Sequence, residues 1–167
     1  MRPQNFLIAC TITLSNASTC EVPKTSSFVI KSDKFTEVLD SDMKYKNQSI
    51  VVPSYIGWIN ISDTNWIWKD LIKVQSPDVV SFRFQFNING QIDAGTLKVA
   101  VDDYAYVYVN EKLADSCAGA TYYKIITCDI KEMLINGVNS VLFKVENKAG
   151  IGGLSFNLNI ATKPEIS

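Results

Sequence analysis

Histidine is absent from the 167 residues. That gap removes imidazole general bases, Ser-His-Asp and Cys-His nucleophile pairs and His-ligated zinc together. A dominant charge is missing too: 16 basic residues stand against 17 acidic, the net charge is −1, and the Lys and Arg are scattered. Nucleic-acid binding needs them clustered on one face, so no nucleic-acid partner is expected. No apolar run approaches the ~20 residues of a membrane-spanning helix. The four cysteines, Cys10, Cys20, Cys117 and Cys128, include no C-x-x-C spacing, which leaves zinc and thioredoxin-like chemistry without support.

What is present is β pattern. From Gly95 to Leu113 the chain reads GTLKVAVDDYAYVYVNEKL. Leu97, Val99 and Val101 share one strand face; after Asp102-Asp103, Tyr104, Tyr106 and Tyr108 alternate with Ala105, Val107 and Val109. Period-two alternation rich in aromatic and β-branched residues predicts two half-buried strands broken at an acidic corner. With Val107 and Val109 inside, the tyrosines face outward, either as a strip for stacking on sugar rings or as a covered face. Asn110-Glu111 then supplies a turn.

Residues 1–19 hold Arg2, an apolar stretch from Phe6 to Leu14 and small residues through Ala17, the layout of a secretory signal. The alternation in Thr11-Ile-Thr-Leu14 suits an N-terminal strand instead. Residues 20–161 form the expected domain, long enough for a core of its own, and residues 162–167 a polar tail. Short strands are predicted at Phe28–Ile30, Phe35–Leu39, Ser49–Val52, Trp58–Ile61 and Trp66–Trp68, with Asp40–Gln48 a loop. Trp66 and Trp68 share a face, as core or as a ligand platform. Val79–Ile88 alternates with Phe82, Phe84 and Phe86 on one side; Asn89-Gly90 follows, by itself a hairpin signal. Lys124–Thr127, Ser140–Glu146 and Leu154–Ile160 complete the strands, and Leu97, Val99, Val101, Phe82, Phe84, Leu142 and Phe156 are the expected inward residues. Asp129 with Glu132 three places on has capping-box spacing and predicts one short helix ending near Asn136-Gly137. About nine or ten strands with turn signals every eight to twelve residues give an all-β antiparallel sandwich or jelly roll with one short helix.

The pieces from Trp66 onward resemble the galactose-binding-like jelly-roll family. The matching residues are Trp66-Ile-Trp68, Phe82-Arg-Phe-x-Phe86, Ala94 through Asp103 with Tyr104, Val107-Tyr-Val-Asn110, Gly137-Val-Asn139, Asn147 and Gly150-x-Gly-Gly-Leu154. Glu111 stands where the family often has Gly, and the cysteine pair is not part of its general pattern. The resemblance implies that Asn89-Gly90 links two sheets, and it implies the fold more than the function: members bind sugars on loops at one end of the sandwich, and others pack against neighbouring subunits.

Cys117 and Cys128 flank a loop and can close a disulfide if the compartment is oxidising; the alternative is two buried thiols. Asn47-Gln-Ser, Asn60-Ile-Ser and Asn16-Ala-Ser are glycosylation sequons. Asp102 and Asp103 read as turn caps or as ligand contacts; calcium would need further oxygens, with Asp93 and Asp115 the candidates. Adjacent carboxylates cannot readily flank one glycosidic bond, so a catalytic role is not expected. Tyr122-Tyr123, neighbours in a loop, must place one ring off the core side. Two functions follow: a secreted or cell-surface, non-catalytic carbohydrate-binding or adhesion module in contact with glycans through Asp102, Asp103, Tyr122 and Tyr123, or a structural subunit of an extracellular or virion-type assembly.

Overall fold

The computed structural model describes residues 25–71 and 77–164, so residues 1–19, with Cys10 and the Asn16 sequon, lie outside the described residues, as does Cys20. Two six-stranded antiparallel sheets face one another. Their strands are β1 (Ser26–Lys31), β2 (Glu37–Leu39), β3 (Tyr45–Gln48), β4 (Ile50–Val52), β5 (Trp66–Trp68), β6 (Asp78–Ile88), β7 (Gln91–Asp102), β8 (Tyr104–Val109), β9 (Lys112–Leu113), β10 (Ile126–Asp129), β11 (Gly137–Asn147) and β12 (Gly153–Lys163). The first sheet runs β10-β7-β12-β5-β4, with β1 also on β12; the second runs β3-β2-β6-β11-β8-β9.

Alternation determines which side chains fill the space between the sheets. Phe82 and Phe84 of β6, Val107 of β8, Phe143 of β11, Val99 of β7 and Phe156 of β12 are buried. Phe156 stacks on Phe84 and Phe143 from the opposite sheet, both at 4.8 Å between ring centroids. Leu142 points the other way: its neighbours Val141 and Phe143 take the core positions, and its cross-strand partner Tyr108 lies on the outer face. Three consecutive apolar residues hide the phase of the alternation, which explains the wrong expectation.

Two of the connections that cross between the sheets are tight corners. Asn89-Gly90 carries the chain from β6 to β7, as the family pattern implies, and Gly90 takes a φ of +109°. The acidic corner carries it from β7 to β8, and the Asp102–Asp103 peptide there is cis. Asn110 and Glu111, at φ of +49° and +67°, make the two-residue turn from β8 to β9, the left-handed pair that matches strand twist.

The expected helix is a single 3-10 turn, Lys131–Met133. Asp129 Oδ1 does accept the Lys131 N–H at 2.9 Å, but the chain extends again at Leu134, which is drawn into the core against Gly95. The buried Asn139 then fixes the following turn, accepting from Ile135 N–H and donating to the carbonyls of Ile135 and Gly137. Other boundaries move as well. Trp58–Ile61 is a loop, Tyr45–Gln48 is a strand with every residue exposed, and β12 runs on to Lys163, where Thr162 is buried.

Cys117 and Cys128 are bonded. Cys117 closes the 3-10 turn Asp115–Cys117 after β9, and Cys128 lies in β10, so the bond ties the turn that follows one sheet's edge strand to the edge strand of the other sheet.

Candidate functional site

The end of the sandwich at the acidic corner gathers most of the side chains that sequence pointed to. Asp102 ends β7 on its outer face beside Gly153 of β12. Asp103 has crossed into the second sheet, where its N–H donates to Glu146 O at 3.0 Å and its Oδ2 accepts the Lys148 N–H at 2.7 Å. The two carboxylates thus have different tasks. Asp103 caps the turn after β11, which satisfies a backbone donor that the turn leaves free. Asp102 accepts the indole N–H of Trp58 at 2.9 Å.

Trp58 is held by shape as well as by that bond. A turn closed by Trp58 N–H to Tyr55 O, with Gly57 at φ +92°, lays the indole over the sheet end. It lies 4.2 Å from the ring of Trp66 and meets Tyr55 edge-on at 5.1 Å. The floor is glycine because nothing larger fits. A Cβ on Gly153 would sit 2.5 Å from Cη2 of Trp58 and 2.8 Å from Cε3 of Trp66; one on Gly152 would sit 2.3 Å from Cζ2 of Trp68. Trp66 and Trp68 are themselves buried, so as expected of core residues they present no platform.

The disulfide-bracketed loop supplies the other flank. Thr121 O accepts the Val101 N–H at 3.4 Å and Tyr122 O accepts the Ile59 N–H at 2.6 Å, which seats the loop between β7 and the Trp58 segment. Paired backbone bonds between Thr121 and Lys124 leave Tyr122 and Tyr123 at the tip. Their rings meet edge to face at 5.0 Å, with 37% and 63% of their surfaces exposed. Asp102, Tyr122 and Tyr123 therefore share one rim, with Asp103 behind Asp102, hydrogen-bonded to it and capping Lys148. The expectation missed Trp58 and Tyr55, whose only local signal is the intervening Gly57.

Electrostatics single out Asp102. Burial pushes its carboxyl from 3.8 up to about 7; the hydrogen bond to Asp103 and the repulsion from that carboxylate add to the rise, and the Trp58 N–H opposes it. Three buried polar atoms without a protein partner also lie on the segments that build this end: Trp66 Nε1, Thr121 Oγ1 and Asn147 Oδ1. Behind Tyr55 a cleft of about 190 Å³ opens between Trp68, Asp70, Leu71 and Gly152.

The remaining candidates lie elsewhere. Asp93 sits nine residues from Asp102 along β7, about 30 Å away, and pairs with Lys163, so the two cannot share an ion. Asp115 opens the 3-10 turn beside β9. No group of three or more metal-ligating side chains occurs among the described residues. Asn47 on β3 and Asn60 in the Trp58 loop are both exposed. Tyr104, Tyr106 and Tyr108 do line the outer face of the second sheet, with Tyr104 and Tyr106 edge to face at 5.0 Å. No helix of the described residues is long and apolar enough to cross a membrane.

No family model matches the sequence and no curated protein matches it. Solved structures do match. An α-L-rhamnosidase from Streptomyces avermitilis, complexed with L-rhamnose, superposes with a TM-score of 0.53 and 14% identity over 89% of this chain and 17% of its own. A β-D-glucuronidase of Dictyoglomus thermophilum gives 0.50 and 16% over 86% and 30%. A family 35 carbohydrate-binding module from an environmental isolate gives 0.43 and 14%, over 78% of this chain and 91% of the module. The chain spans less than a third of either glycosidase, and at such identities the likeness is one of fold.

Proposed function

We propose that this chain, a galactose-binding-like jelly roll, is a non-catalytic carbohydrate-recognition module that contacts its glycan at the Trp58 rim. The observation that carries the reading is the juxtaposition of exposed Tyr122 and Tyr123 with the half-buried Asp102 carboxyl, held by Trp58. Sugar rings present an apolar face and a fringe of hydroxyls. An aromatic face beside a few fixed polar groups complements both, and a loop fixed at its base by a disulfide loses little entropy when it binds.

A non-catalytic role suits the corner: one aspartate is committed to a backbone cap and the other to an indole, and neither disposition resembles a pair flanking a scissile bond. The Cys117–Cys128 bond favours an oxidising compartment, hence a secreted or cell-surface location. A second reading, an assembly subunit, draws on the tyrosine strip of β8, because tyrosine is enriched where proteins meet.

A glycan array probed with the full chain and with Tyr122→Ala/Tyr123→Ala separates the two. Saturable binding that the double variant loses supports recognition. No binding by either protein, with self-association in sedimentation, supports the subunit reading and overturns this one.

A further inference from the structure

The outer face of the first sheet carries a second cleft, separated from the rim by the segment Trp58–Asn65, which crosses the sheet and is pinned there by Thr64 Oγ1 to Ser155 Oγ at 2.7 Å and by Asn65 N–H to Ser32 O. Strand register builds it. Asn157 of β12 has Lys31 of β1 as its cross-strand neighbour on one side and Lys98 of β7 on the other. Adjacent strands lie about 4.8 Å apart, so the two lysine backbones are about 10 Å apart and their long stems can close over the asparagine between them. Residues Asn60 to Asp63 form a wall, Val29 and Ile125 contribute aliphatic surface, and the cleft measures about 360 Å³. That is the size of a small-ligand site.

The charges lining it do not cancel. Ion pairs among the described residues join Lys69 to Asp78, Arg83 to Glu37 and Lys163 to Asp93; Lys31 and Lys98 enter none of them. One carboxylate, Asp63, lines the cleft against two ammonium groups. Asn159 Nδ2 donates to Asn157 Oδ1 at 2.7 Å. That bond draws the Asn157 oxygen toward Asn159, which leaves the Asn157 amide N–H groups to face its row. Three adjacent strands therefore contribute donors in one line, ammonium, amide, ammonium, with hydroxyl and amide groups from Ser62, Asn60 and Asn159 around them. Two like charges flanking a neutral donor gain most from an anion seated between them, and charge-assisted bonds are the stronger kind.

We propose that this cleft is a second binding site, for an acidic saccharide unit whose carboxylate or sulfate sits between Lys31 and Lys98 over the Asn157 amide. The aliphatic surface of Val29 and Ile125 takes the apolar side of the ring, and the surrounding amides take its hydroxyls. The saccharide frame rests on the carbohydrate reading above; the oxyanion contact rests on this cleft alone.

Calorimetric titration of the full chain with digalacturonate, a monosulfated galactobiose that has no carboxylate, neutral galactobiose and inorganic sulfate tests it. Lys31→Gln, Lys98→Gln and the Tyr122→Ala/Tyr123→Ala protein are titrated in parallel. The lysine changes are on an exposed sheet face, and a thermal melt checks that the fold is retained. One or both acidic disaccharides should bind, more weakly as salt rises, with a loss of about tenfold in affinity for each lysine replaced and no change in the tyrosine variant. The better of the two identifies carboxylate or sulfate as the natural group. Acidic disaccharides that bind no better than galactobiose, or no better than inorganic sulfate, overturn the proposal, as does unchanged affinity in both lysine variants. Galactobiose binding lost only in the tyrosine variant reports on the rim, so failure of either site is seen separately from the other.

Discussion

Asp102 should make this fold less stable as the pH rises toward neutrality, and Asp102→Asn should abolish the effect. The carboxyl titrates at about 7 in the folded chain against 3.8 for an ordinary aspartate. The folded state therefore holds a proton that the unfolded chain has released, and stability falls with pH wherever that is so. The contribution is fully present below about pH 4 and is lost as the pH rises through about 7. Raising a carboxyl from 3.8 to about 7 corresponds to ~4 kcal/mol for a fully desolvated group. Asp102 is half-buried, and solvent screening reduces this to roughly 1–2 kcal/mol. An asparagine reproduces both bonds of the protonated acid, its oxygen accepting from Trp58 and its amide donating to Asp103, and it has no charge to form. Urea unfolding followed by tryptophan emission should give wild type and Asp102→Asn similar stability near pH 4, and the variant an advantage that grows from there to roughly 1–2 kcal/mol near pH 8. A wild-type stability independent of pH, with a variant weaker at about pH 8, would mean that the ionised carboxylate is the favoured partner of Trp58 and would refute the reasoning.

Other changes follow from packing. Replacing Cys117 and Cys128 by Ser removes a cross-link spanning 11 residues of sequence separation and should cost on the order of 3 kcal/mol in the chain-entropy picture, read from urea midpoints. Gly153→Ala puts a methyl inside the space of Trp58 and Trp66 and should lower stability by about 1–3 kcal/mol while changing tryptophan emission in the folded state. Asn139→Ala orphans the turn groups that its side chain serves and should cost roughly 2–4 kcal/mol, with amide exchange accelerated first around Ile135. Phe143→Ser should be severe and Leu142→Ser mild, by a difference of more than about 2 kcal/mol in thermal or urea unfolding.

The long strands were legible because each keeps one face dry, which writes a period of two into the residues; β6, β7, β8 and β12 all carry it. β3 was not, since all four of its residues are exposed and no apolar rhythm survives. The short helix was predicted from local capping chemistry, and that chemistry is present at Asp129. What stops the helix is Asn139, ten residues on, together with the pull of Leu134 into the core. The rim divides in the same way. Tyr122 and Tyr123 were found because adjacent aromatics in a loop cannot both be buried on the core side. Trp58 was not, because its partners Asp102 and Gly153 lie 44 and 95 residues away in sequence, and nothing in the Trp58 segment records them. Which of two neighbouring aspartates reaches Trp58 depends on which sheet each belongs to, and only the crossing between sheets decides that.

The most direct test of the rim as a recognition surface is a heteronuclear NMR titration of the isotope-labelled chain with the strongest hit from the glycan array, followed at the Trp58 indole N–H. That proton is bonded to Asp102 beside Tyr122 and Tyr123, so a ligand seated there should shift it in a saturable way, together with the amides of residues 121–124. A titration that saturates while the Trp58 indole and those amides stay still, with shifts confined to the tyrosine face of β8, would contradict the account.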